Sequence, residues 1–112
     1  MLVFILKNSN QVIMKKRDLI RMYREWRKAN GNKKPNRVIV RMHWEDVPGN
    51  SLVDTIGIVP LDKIGDTSEI PGDWFILFYV SSLKGLWELT KPNNGSDFVV
   101  EKVLEFYRNP SK

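Results

Sequence analysis

Residues 15–28, Lys-Lys-Arg-Asp-Leu-Ile-Arg-Met-Tyr-Arg-Glu-Trp-Arg-Lys, constrain this chain more than any other stretch, because they read as a helix with two contrasting faces. At helical period Arg17, Arg21, Arg24 and Lys28 fall at i, i+4, i+7 and i+11 and form one basic stripe. Leu19, Ile20, Tyr23 and Trp26, with Met22 at the margin, form the apolar stripe that a helix buries against a core. Asn30-Gly31 supplies the stop, since glycine readily takes the left-handed conformation that closes a helix. Arg27 and Lys28 in the last turn suit the negative end of the helix dipole. A polar basic loop, Asn32-Lys33-Lys34-Pro35-Asn36, follows.

Arg37–Trp44 switches to a two-residue period. Val38, Val40, Met42 and Trp44 share one face and Arg37, Ile39, Arg41 and His43 the other. This alternation predicts a strand with its apolar face inward and with Arg37 and Arg41 extending the basic field of the helix. Val47-Pro48-Gly49-Asn50 is a turn, and Val53–Val59 reads as the next strand, weakened or bulged at Gly57. Upstream, Leu2–Leu6 and Gln11–Met14 read as two strands around Asn8-Ser9-Asn10, although Met14-Lys-Lys-Arg also resembles an internal translation start.

Downstream, Pro60–Asp73 is an acidic loop, with Asp62, Asp66, Glu69 and Asp73 against Lys63. Trp74–Val80 is continuously apolar, which predicts a central strand buried on both faces. Ser81 or Ser82 then caps a short helix through Thr90. In Asp97–Arg108 helical spacing sets Val100, Val103, Leu104 and Tyr107 opposite Asp97, Glu101, Lys102, Glu105 and Arg108. The Val, Phe and Tyr content there suits a strand equally well. Asp97 at the start and Pro110 beyond the end select a helix. Together these elements predict one α+β domain over residues 1–112. It has a mixed or antiparallel sheet of about four to five strands, with one long basic N-terminal helix and two C-terminal helices packed on it.

Several chemistries are excluded by residue type. Without cysteine there is no disulfide, thiolate nucleophile or iron–sulfur cluster. His43 is the one histidine, so neither a transition-metal site nor a serine triad has its usual components. No glycine-rich phosphate loop is present, and the carboxylates of the 62–73 region lack the strand-borne arrangement of a magnesium-dependent nuclease. The sequence therefore predicts no cofactor and no metal. His43 beside Glu45-Asp46 remains an acid/base candidate, set against an ordinary rim histidine. The apolar run Leu2–Leu6 is shorter than a signal core and no run spans a bilayer, which points to a cytoplasmic protein.

What remains is charge. The net +5 conceals an uneven division: residues 1–41 carry twelve Lys/Arg against Asp18 and Glu25, a balance of +10, and residues 42–112 carry six against eleven, a balance of −5. Such asymmetry suggests a polyanionic partner. Between Arg17 and Lys28 arginine outnumbers lysine four to one, which favours bidentate phosphate or carboxylate recognition. The expected footprint is Lys15, Lys16, Arg17, Arg21, Arg24, Arg27, Lys28, Lys33, Lys34, Arg37 and Arg41. Its expected partner is nucleic acid, free or in a nucleoprotein complex, as for an accessory protein of a phage or mobile element. The alternatives are a protein module docking on an acidic partner and, behind that, a small metal-independent ribonuclease.

Overall fold

The computed structural model describes residues 14–45 and 55–109. The two strands expected before Met14 and the turn at 47–50 lie outside the described residues, as does the start of the strand expected from Val53. In chain order the elements are α1 (Lys16–Ala29), β1 (Arg37–Trp44), β2 (Thr55–Pro60), β3 (Phe75–Ile76), α2 (Leu83–Glu88) and β4 (Phe98–Tyr107). They form an α+β domain with a mixed four-stranded sheet in the order β3-β2-β1-β4. β1 pairs antiparallel with β2 and β4, and β3 runs parallel to β2.

α1 closes as its sequence implies. Gly31 and Asn32 both take positive φ, and the Asn32 amide donates to the Arg27 carbonyl at 2.8 Å, returning the chain over the last turn. Asn30 Nδ2 donates to the Trp26 carbonyl at 2.8 Å and satisfies a second terminal acceptor. On β1, Val38, Val40 and Met42 are fully buried on the helix-bearing face. They meet Val59, Val100, Val103 and Phe106 of the neighbouring strands, with Leu19 of α1 and Leu86 and Leu89 at α2 above them. Met22, Tyr23 and Trp26 pack on the margin of this core, Tyr23 edge-on to Phe106 at 5.6 Å. Ser82 caps α2 by accepting from the Gly85 amide at 3.1 Å.

Gly57 lies where Leu77 crosses β2: a Cβ there would meet Leu77 Cδ1 at 3.0 Å and Met42 Sδ at 3.4 Å. The β1–β2 register runs through it unbroken, so the glycine answers a packing need and marks no bulge. Gly57→Val is expected to lower stability by about 1–3 kcal/mol through overpacking, read as a lower urea midpoint at unchanged slope.

Two expectations are corrected. Residues 98–107 form a strand, leaving α2 as the one helix after β1 among the described residues in place of two. The register with β1 jumps between Ile39 and Val40 and again between Arg41 and Met42, so that Leu104 and Glu101 are extra residues in β4. These bulges bring Val100, Val103 and Phe106 to the core at intervals of three, and the spacing imitates a helix. Trp74–Val80, expected at the centre of the sheet, lies at its edge. Only Phe75 and Ile76 pair as strand, and the backbone beyond is held by Leu77 N–H to Ile58 O at 2.8 Å and Val80 N–H to Pro60 O at 3.0 Å. Of this run Leu77 is buried, while Phe75, Ile76, Phe78 and Tyr79 are exposed. The two central places belong to β1 and β2, each of which pairs on both sides.

Candidate functional site

Helical geometry puts Lys16, Ile20, Tyr23 and Arg27 on one side of α1, with Arg24 and Lys28 beside them. α2 packs against that side and supplies the opposite bank with Leu83 and Lys84. The result is an open groove of about 560 Å³ with Leu19, Ile20, Tyr23 and Leu83 as its apolar lining and Asn32 at one end. Five cations surround it (Lys16, Arg24, Arg27, Lys28 and Lys84), and none of its lining residues carries a carboxylate. Cations brought together over a low-dielectric floor raise the local potential and concentrate anions there.

Arg27 sits deepest among these cations. Its Nη2 donates to the Asn32 carbonyl at 2.9 Å, which fixes the plane of the guanidinium. Its Nε is buried and has no acceptor among the described residues. An unmade hydrogen bond at a buried charged group is costly, so an anionic oxygen reaching this N–H would be rewarded by more than its Coulomb attraction.

The acidic residues of α1 do not neutralise the groove. Asp18 pairs with Arg21 at 3.0 Å on the exposed side, a contact of small energetic value, and Glu25 lines a shallow depression of about 400 Å³ between Arg17, Arg21, Arg24 and Lys28. Lys15, Lys33 and Lys34 are exposed at the two ends of the helix and in the loop after it. Lys33 shares a further depression with Trp26, Glu105 and Arg108, and Arg108 Nη1 donates to the Lys34 carbonyl at 2.8 Å.

Two members of the expected footprint are placed elsewhere. Arg37 is 3% exposed and is bound inside the protein. Its Nε donates to Glu69 Oε2 and its Nη1 to Asp62 Oδ1, both at 3.0 Å, and its Nη2 donates to the Asp66 carbonyl at 3.1 Å. Asn109 Nδ2 completes the cluster by donating to Glu69 Oε1. The expectation that Arg37 extends the basic surface is therefore corrected: it holds the crossover that carries the chain from β2 back to the parallel β3. Arg41 is exposed, but on the sheet face away from α1, where Lys102 is its neighbour in register. Conversely, Lys84 completes the groove and stands out by no sequence signal; only the packing of a six-residue helix on α1 brings it there.

The other polar constellations suit structural roles. Tyr107 donates to Glu69 Oε2 at 3.1 Å, and burial together with that carboxylate pushes its pKa up to about 12, so it stays protonated at neutral pH. His43 Nδ1 lies 2.6 Å from Glu101 Oε2 on the sheet face away from the helices. No group of three His, Asp or Glu side chains placed to hold a metal occurs among the described residues. Nor is any described helix long and apolar enough to cross a membrane. No family model, curated protein or solved structure matches the chain.

Proposed function

We propose that this chain is a small non-enzymatic binding protein that engages nucleic acid, free or within a nucleoprotein complex, through the groove between α1 and α2. The observation that carries the reading is the groove itself: five cations converge on one concavity that no carboxylate lines, in a chain whose second half is acidic. Lys15 and Arg17, exposed on either side of Lys16 at the start of α1, would lengthen the track over which successive phosphates are met. Arg24 and Arg27 supply the planar donors that phosphate oxygens accept in pairs.

The test is the anisotropy of a labelled random RNA and a labelled random DNA at low and at moderate salt. With six or more phosphates neutralised, affinity is expected to fall about a thousandfold or more between 50 and 200 mM salt. Equal affinity at the two salt concentrations, or no binding at the lower one, rejects the reading and leaves an acidic protein surface as the partner. The same labelled RNA should remain full length throughout; its cleavage would assign the groove to a ribonuclease instead.

A further inference from the structure

Phosphate recognition calls for cations and makes no use of the apolar floor of the α1–α2 groove. Leu19 is buried beneath that floor, but Ile20, Tyr23 and Leu83 line it and are only partly covered by the protein. Two of the lining side chains are also held in position. Tyr23 is set against Phe106, with ring centroids 5.6 Å apart and planes at 75°. One helical turn further on, the Arg27 guanidinium is tied to the Asn32 carbonyl at 2.9 Å. A phenol ring and a guanidinium are both planar surfaces on which unpaired nucleobases stack.

The charges around the floor are unspoken for. None of Lys16, Arg24, Arg27, Lys28 and Lys84 is paired with a carboxylate among the described residues. Residues 1–13, which precede α1 in the chain, contain no Asp or Glu, so they bring no charge that competes with phosphate.

We propose that the groove takes single-stranded nucleic acid, with at least one unstacked base on the floor beside Tyr23 and the adjoining phosphates met by Arg24, Arg27 and Lys84. This rests on the nucleic-acid reading above and adds the form of the strand. In a duplex the faces of the bases are covered by their stacked neighbours and the phosphates lie on a convex outer surface. A duplex therefore reaches the cationic rims and leaves the floor wet. A single strand turns its bases out and uses both parts of the groove at once. The bases act through their faces, which ribose and deoxyribose strands share. Charge alone gives the opposite preference, because a duplex carries the denser row of phosphates and releases more counterions per contact. Preference for a single strand is thus a signature of the floor and not of the rims.

The test is anisotropy of the whole chain at about 50 mM salt with three labelled probes. The first is an oligothymidine of about twelve nucleotides, the second is the same strand with every base replaced by an abasic spacer, and the third is a duplex of that length. The first two present equal numbers of phosphates. Oligothymidine should bind about tenfold or more tighter than the abasic strand, and tighter than the duplex. Tyr23→Leu, which keeps an apolar side chain against Phe106, should remove most of the gap between the base-bearing and abasic strands. The comparison in the unsubstituted protein needs no variant. Equal affinity for those two strands, tighter binding of the duplex, or a gap that survives in a folded Tyr23→Leu variant would overturn the proposal while leaving phosphate binding in place. Failure of all three probes would reject the nucleic-acid reading itself and leave an acidic protein surface as the occupant.

Discussion

Arg37→Ala is expected to lower stability by about 3 kcal/mol while leaving nucleic-acid affinity unchanged. The guanidinium is 3% exposed and makes four hydrogen bonds, to the carboxylates of Glu69 and Asp62 and to the carbonyls of Asp66 and Asn36. Removing one partner of such a set strands the others, which is where the cost arises. The estimate sits at the low end for a buried ion pair because Asp62 is half exposed and water recovers it. Glu69 retains Tyr107 and Asn109 as donors, so the cluster is weakened without collapsing. The loss should appear as a lower urea midpoint, with anisotropy titrations superimposing on those of the unsubstituted protein. A stable Arg37→Ala variant that no longer binds would return this residue to the interface.

Arg37 and Arg41 show how far the pattern in the sequence reaches. Two-residue alternation puts both on the face of β1 opposite the core, and the structure agrees. Alternation does not say what covers that face. One arginine is enclosed by the crossover 61–73 and the other is left in water, because a parallel β2–β3 pair obliges the chain to travel back along the sheet and something must pin it there. The carboxylates that read as a solvated acidic loop include the two, Asp62 and Glu69, that do this pinning.

β4 shows the opposite failure, in which a clear pattern means something else. Val100, Val103 and Phe106 are buried at three-residue intervals, and in an unbroken strand that spacing would send them to alternating faces. Each bulge resets the alternation by one residue, and only the register against β1 reveals it. Trp74–Val80 misled for a different reason: a continuous apolar run predicts a strand buried on both faces, but here it forms an edge segment whose Phe75, Ile76, Phe78 and Tyr79 stay exposed. By contrast α1 and β1 were legible, because each joins a strong period to unambiguous end signals.

The groove was half legible. Its α1 bank follows from helical period, but Lys84 on the other bank depends on a tertiary contact, and that dependence makes it the best probe of the site. Arg24→Glu with Lys84→Glu reverses one charge on each bank and is expected to weaken RNA and DNA binding by a hundredfold or more at low salt. The dependence of affinity on salt should flatten as well, because two fewer phosphates are neutralised and the logarithmic slope falls by about 1.8 for duplex DNA. Both side chains are exposed, so the urea midpoint should stay within about 0.5 kcal/mol of the unsubstituted protein. Arg41→Glu, which changes the same charge on the far face of the sheet, should bind as before apart from a small loss of long-range attraction. If Arg41→Glu and the paired groove variant weaken binding to similar degrees per charge, attraction is diffuse and the groove is not the site. If only the groove variant fails, the two helices act together as one phosphate-binding surface.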